Sequence, residues 1–277
     1  MPSQPLTVRF WGVRGTLPTP GADTAHYGGN TSCVEVDLGG RYVIFDAGSG
    51  IRNLGDRLHS QGGILEADIL FSHCHLDHVC GVPFFSPFYE TQNRIRLWAG
   101  NLLPKYTLEA TIRSIMSAPL FPIEIDAFKA DIQFRDFRAG DTLDLGGGIT
   151  ARTGMLNHPG GAVGYHLACG DKSIAYITDT EHRPKELDHT VLGLVQDADL
   201  MIYDCTYTDE EFPDHAGWGH STWQQAVRLA KAAGVKRLAV FHHDPDHDDA
   251  FMRNVEGAAA QKHPGAFVAR EGLVLTL

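Results

Sequence analysis

Six residues, His73-Cys74-His75-Leu76-Asp77-His78, put three imidazoles and a carboxylate on one short stretch of chain. They follow Asp68-Ile69-Leu70-Phe71-Ser72, a brief apolar run that reads as a buried strand. A strand that spills into a turn aims several side chains at one point, and polar groups crowded there are costly to bury without partners. Imidazole nitrogen and carboxylate oxygen suit Zn²⁺ and its neighbours in the first transition row. The segment reads as a metal-binding turn, and the fold must bring further donors to it.

Candidates for those donors stand beside other apolar runs. They are His158 in Asn157-His158-Pro159-Gly160-Gly161, Asp179 in Tyr176-Ile177-Thr178-Asp179-Thr180, and His242 or His243 in Phe241-His242-His243-Asp244-Pro245. Upstream, Asp46 ends the run Phe45-Asp46-Ala47-Gly48. The H-x-H-x-D-H hexapeptide after a hydrophobic strand, with these residues in this order, resembles the metallo-β-lactamase superfamily over nearly the whole chain. The resemblance implies an α/β fold: a four-layer αββα sandwich of two mixed sheets flanked by helices, as one domain over residues 1–277. It also implies a binuclear site. His73, His75 and His158 are assigned to one metal, Asp77 and His78 to a second, with Asp179 bridging and a final histidine completing the set. Asp46 is expected to fix the far ring nitrogen of a ligand histidine rather than to bind metal. Adjacent strand residues point to opposite faces, so His242 and His243 compete for one position. In the tRNase Z branch the ligand directly follows the last apolar strand residue, which matches His242. Two divalent ions are implied, zinc first, with manganese or iron as alternatives. Such a pair acidifies a shared water and clamps an anionic transition state.

Other residues point to a branch. Gly217-Trp218-Gly219-His220-Ser221-Thr222 resembles the His-Ser-Thr motif of tRNase Z and related phosphodiesterases. That resemblance implies a catalytic His220 outside the metal set, facing the scissile phosphate, with Asp204 orienting it. A neighbouring carboxylate raises an imidazole's pKa and keeps it charged near neutral pH. Asp77 is counted as a catalytic carboxylate as well as a ligand. The opening segments Phe10-Trp11-Gly12-Val13-Arg14-Gly15 and Gly28-Gly29-Asn30-Thr31 resemble the Gly-rich loop of the same branch. Arg14 is a candidate for pairing a phosphate, with a surface role as the alternative; Asn30 and His26 are weaker candidates.

Charge narrows the partners. The net charge is −11, and Lys and Arg form no cluster, so a grip on long nucleic acid is disfavoured and a small anionic substrate favoured. The long basic Gly-rich arm of tRNase Z has no counterpart over 119–139. The segments 83–89 and 102–121 are rich in aromatics and apolar residues. They are expected to roof the cleft and stack a nucleobase, or to pack in the core or at a dimer contact; a homodimer is expected by analogy with the phosphodiesterase branch and from the apolar aromatics between Phe84 and Phe121. Five scattered cysteines do not read as a disulfide framework, so a reducing cytoplasm is expected. No leader pattern opens the chain and no apolar run approaches the roughly 18 residues of a membrane span.

Apolar patterning predicts strands over 6–11, 34–38, 42–45, 68–72, 149–156, 163–168, 173–177, 200–204 and 236–241. Helices are predicted over 51–58 and 107–116, from a Ser221 cap to Gly234, and from an Asp246 cap to about 262. The expected activity is metal-dependent hydrolysis of a small phosphodiester such as a cyclic nucleotide. Hydrolysis of a lactone or thioester, and a non-catalytic ligand-binding sensor, are the alternatives.

Overall fold

The computed structural model describes residues 6–184 and 186–277; residues 1–5, part of the segment read for a leader, lie outside the described residues. One sheet holds β1 (Thr7–Gly12), β2 (Cys33–Asp37), β3 (Tyr42–Phe45), β4 (Glu66–Phe71), β5 (Arg94–Ala99) and β6 (Asp131–Asp136). The second holds β7 (Thr142–Gly146), β8 (Ile149–Leu156), β9 (Ala162–Cys169), β10 (Lys172–Ile177), β11 (Leu200–Asp204), β12 (Arg237–Phe241) and β13 (Ala266–Val268). The last strand, β14 (Val274–Thr276), returns to the first sheet beside β1, so both sheets are seven-stranded.

Each sheet is half antiparallel and half parallel. Neighbours from β14 to β3 run antiparallel and from β3 to β6 parallel. In the other sheet, neighbours from β7 to β10 run antiparallel and from β10 to β13 parallel. Parallel neighbours need a crossover, and helices supply most of them. Helix α1 (Ile51–Gln61) joins β3 to β4, and the one-turn α2 (Leu76–Val79) lies between β4 and β5. Helices α3 (Leu108–Ile115), α4 (His189–Val195), α5 (Trp223–Ala232) and α6 (Asp249–Lys262) cover the remaining parallel connections.

Strand alternation then sorts the side chains into layers. Val43 and Phe45 of β3, Leu70 of β4, Ile202 of β11 and Phe241 of β12 point into the core between the sheets. Their neighbours point outward: Ile44, Ile69 and Phe71 under α1 and α3, and Met201, Leu238 and Val240 under α4, α5 and α6. The result is the expected four-layer αββα sandwich.

Several elements depart from the sequence reading. Strand β5 was not anticipated, because Arg94 and Arg96 break its apolar run; they alternate with buried Ile95, Leu97 and Ala99. Strands β6, β7, β13 and β14 and helix α4 were also not anticipated, being short or only partly apolar. Thr222, not Ser221, caps α5 by accepting the Gln225 N–H at 3.0 Å. Ser221 is buried and bonds His182 and Tyr203 instead. Asp248, not Asp246, caps α6. Phe85 and Phe88, expected near a cleft roof, are fully buried beside α1, whereas Phe84 is 54% exposed and meets Phe121 edge-on.

Phe10 shows how the central layer carries stability. It is fully buried on β1 and packs against Phe241 and Phe267 of the opposite sheet. Phe10→Ala is expected to lower stability by about 3–5 kcal/mol, the usual cost of a large aromatic cavity. A fall in the urea midpoint without a change in slope would show it.

Candidate metal centre

The site lies where strand ends from both sheets meet. Asp46 follows β3, the hexapeptide follows β4, His158 follows β8, Asp179 follows β10, Asp204 ends β11 and His242 follows β12. Strand β8 is antiparallel to β9, which is antiparallel to β10, so β8 points the same way as the parallel strands. Its carboxyl end therefore reaches the same edge. Open parallel sheets bind ligands at such an edge.

Three of these residues leave their strands in the left-handed backbone region: Asp46 (φ 58°), Asp179 (φ 56°) and His242 (φ 60°). Residues other than glycine occupy that region at a cost and tend to do so at functional sites. The turn redirects each side chain at the point where the strand stops.

Two donor groups result. In the first, His75 Nδ1 lies 3.1 Å from His158 Nε2. Asp179 Oδ1 stands 3.8 Å from His73 Nε2 and 3.7 Å from His158 Nε2. In the second, His78 Nε2 lies 3.1 Å from Asp77 Oδ2 and 3.3 Å from Asp179 Oδ2. His242 Nε2 stands 3.5 Å and 3.3 Å from the same two oxygens. The two oxygens of Asp179 therefore face different donor groups. Donors about 2.0–2.1 Å from a tetrahedral zinc lie about 3.3 Å from one another, which is the spacing observed.

The Nε2 atoms of His73, His78 and His242 are buried and have no hydrogen-bond partner. The opposite nitrogens are held. His78 Nδ1 donates to Asp46 Oδ2 at 2.8 Å, and His158 Nδ1 donates to the Gly219 carbonyl at 2.9 Å. Ser72 Oγ donates to Asp46 and lies 3.1 Å from His73 Nδ1. Thr206 Oγ1 donates to Asp204 and lies 3.0 Å from His242 Nδ1. Each such contact leaves the inward nitrogen as a lone pair, the arrangement metal-binding histidines adopt. A cation would satisfy these converging nitrogens and the carboxylates beside them. The residues present fit a pair of divalent ions.

The electrostatics differ between the two donor groups, and a cation beside His78 would displace the proton its carboxylates favour. Burial pushes His73, His75 and His158 below the ordinary imidazole value, so they stand neutral, as ligands must. Burial also acts against the charge of His78, but Asp77, Asp179 and Asp46 outweigh it and raise its pKa. The same pairs hold Asp77 and Asp179 below the usual carboxylate range despite their burial.

His220 lies beside this cluster. Its Nδ1 donates to Asp204 Oδ2 at 3.0 Å and stands 3.9 Å from Asp179 Oδ1. Burial lowers its pKa; the charge and hydrogen bond of Asp204 more than offset that and raise it to about 9. Asp204 is held by the Thr180 N–H on one oxygen and by Thr206 on the other. Glu181 accepts the N–H groups of Gly217 and Gly219 and so fixes the loop that leads into His220.

His243 turns away from the cluster. It is buried, with Nε2 2.8 Å from the Ala269 carbonyl. Arg14 is not available to a substrate phosphate. Its guanidinium is buried and donates to the carbonyls of Gly28, Asp244 and His247 at 2.8, 2.9 and 2.6 Å. Nor is Asn30 free: its amide bonds Glu271 and Ser49. The Gly-rich opening therefore acts as a brace rather than a phosphate cradle. It also contributes what residue types did not reveal. The Thr16 N–H donates to Asp77 Oδ2 at 2.8 Å from a left-handed turn (φ 63°). Gly15 lies against His242 so closely that an added Cβ would sit 2.2 Å from the imidazole. Among the supports missed, Ser72 carried a signal by preceding His73, and Thr206 by standing two residues past Asp204.

Two mixed sheets that converge a His/Asp donor set on one edge define a class: the metal-dependent hydrolases of metallo-β-lactamase fold. A model of the β-lactamase superfamily domain matches residues 41–243, and the chain belongs to that superfamily. Ribonuclease Z of Gemmatimonas aurantiaca is 26% identical over 315 positions, covering 99% of this chain and 96% of that protein. The metallo-β-lactamase fold protein YhfI from Bacillus subtilis superposes with a TM-score of 0.73 at 17% identity, covering 99% of this chain and all of that one. The short form of human tRNase Z superposes with a TM-score of 0.69 at 20% identity over 97% and 98% of the two chains.

The contact between Gly15 and His242 yields a prediction. Gly15→Ala is expected to displace the His242 ring and weaken metal retention by about 10–100-fold, the scale of disturbing a ligand's support. Chelator competition on the Gly15→Ala and wild-type proteins measures it.

Proposed function

We propose that this protein hydrolyses small phosphodiesters at a pair of divalent metal ions, with His220 as the general acid. The observation that carries the reading is the position of Asp179, one oxygen toward each donor group, with the Asp204–His220 pair alongside. His73, His75 and His158 would hold one ion; Asp77, His78 and His242 the other; Asp179 would bridge. Zinc suits the nitrogen-rich donor set. Such a pair supplies activation of water and neutralisation of phosphoryl charge.

The chain's own residues supply the rest. Asp46, Ser72, Thr206 and the Gly219 carbonyl hold the ligand rings in one tautomer. Asp204 keeps the His220 Nδ1–H engaged and leaves Nε2–H to protonate the departing alkoxide. A proton at that atom matters when the leaving oxygen is strongly basic, as in a cyclic nucleotide.

Ribonuclease Z and tRNase Z, whose names identify them as ribonucleases, support phosphodiester chemistry over carbonyl hydrolysis. Size is argued from this chain. Its net charge of −11 disfavours a long polyanion. The alignment with the Gemmatimonas protein runs to 315 positions against 277 residues here, so that ribonuclease carries segments without a counterpart in this chain.

The metal-replete protein is expected to carry about two transition-metal equivalents by elemental analysis. His220→Ala is expected to keep them and to lose about 10²–10⁴ in turnover of a 2′,3′-cyclic nucleotide. The same variant should lose far less on bis-p-nitrophenyl phosphate, whose leaving group departs without a proton. Loss of metal from the variant would make His220 a ligand. Unchanged turnover of the cyclic nucleotide would remove it from catalysis. Turnover of lactones or thioesters alone would replace the phosphodiester reading.

A further inference from the structure

A cleft of about 650 Å³ opens directly from the metal centre, with His73 and His75 in its wall. That volume lies within the roughly 300–1,000 Å³ range of small-molecule sites. Its far side is the segment Leu102–Tyr106, its floor includes Ala110 and Thr111 of α3, and its near rim is the turn Pro159–Gly161. Asn101 Nδ2 donates to the Gly161 carbonyl at 2.8 Å and ties the far side to the rim. Gly160 (φ 81°) and Gly161 (φ 79°) keep that turn close without a side chain; a Cβ on Gly160 would approach His75 Nε2 to 4.0 Å.

Two features of the lining say what it takes. Among the described residues it holds no carboxylate, although the chain has 34 acidic residues against 23 basic ones, and the one lysine or arginine in that lining is Lys105. Its surface is mainly apolar, and Tyr106 offers a ring left 65% exposed, with Leu103 beside it at 39%. An exposed aromatic face beside a phosphodiester site suits a flat ring, which gains stacking that an alkyl chain does not. A lone cation in a carboxylate-free wall tolerates the negative charge such a substrate carries.

The geometry points to this cleft as the subsite for a nucleobase-sized aromatic ring carried by the ester of the substrate. The ring lies against Tyr106 and Leu103, and Lys105 meets additional negative charge at the edge. The assignment rests on the phosphodiester reading and names the substrate class of that site: mononucleotide-sized phosphodiesters.

The test compares two esters with one leaving group, thymidine 5′-(p-nitrophenyl phosphate) and methyl p-nitrophenyl phosphate, on the metal-replete protein. The wild type is expected to favour the thymidine ester in kcat/KM by about tenfold or more, chiefly through KM, the scale of one base–aromatic stack. Tyr106→Ala and Ala110→Trp both alter exposed positions; the first removes the stacking face and the second fills the cleft. Both are expected to collapse that ratio toward one. Calorimetric binding of thymidine 5′-monophosphate should weaken in step. If both esters turn over with no preference, or the variants keep it, the subsite is wrong and the phosphodiester reading stands. If neither ester turns over, the phosphodiester reading fails, and equal binding of thymidine 5′-monophosphate to wild type and variants then overturns the subsite as well.

Discussion

The Asp46 carboxylate is the contact on which the site depends. It is wholly buried at the end of β3, where an unpartnered charge would be strongly destabilising. Four donors satisfy it: the Ser72 N–H, Ser72 Oγ, His78 Nδ1 and the Tyr176 hydroxyl. Ser72 and His78 belong to the ligand turn after β4, and Tyr176 stands on β10 of the opposite sheet. One carboxylate thus pins the hexapeptide and links the two sheets a few residues from Asp179. Burial pushes the Tyr176 phenol well above its usual value, so it stays protonated and donating.

Around that node, support comes from the backbone as much as from side chains. The N-terminal loop reaches the second donor group through the Thr16 N–H and packs Gly15 on His242. Arg14 holds this loop to the segment after β12 by bonding the Asp244 and His247 carbonyls, and braces the loop itself through the Gly28 carbonyl. The loop thereby couples the two ends of the chain to a site built mostly by the middle. The Glu181 carboxylate does the same for the loop before His220, using two glycine N–H groups. In each case a candidate ligand or His220 is placed by contacts from a neighbouring loop. Such support keeps reacting groups within the narrow tolerance that catalysis requires.

The superfamily uses one edge for many chemistries, so the surroundings carry specificity. Here the cleft on the α3 side of the donor set is mainly apolar and, among the described residues, without a carboxylate, in a chain that is otherwise acidic. The proposed subsite for a compact anion with a flat ring rests on that contrast.

The hexapeptide and the ordered His and Asp positions were readable because a metal site needs particular atoms, and few residue types offer them. The four-layer fold followed from the same pattern and from strands whose apolar residues alternate or run together, such as β3, β4, β11 and β12. Strands such as β5 stayed hidden because their outward arginines break the apolar run while the inward residues alone keep the register. Arg14 and Asn30 were misread for a related reason: a cation or amide in a Gly-rich loop looks alike in sequence whether it meets substrate or carbonyls. Residue types alone determined which atoms were on hand to hold metal, whereas the pairing of His220 with Asp204 was an implication of the family resemblance. Only the tertiary structure decided that Asp179 faces both donor groups, that His242 turns inward while His243 turns to Ala269, and that Thr16 contributes its N–H. Those outcomes depend on backbone direction at the strand ends and on contacts between residues far apart in the chain, which no local pattern encodes.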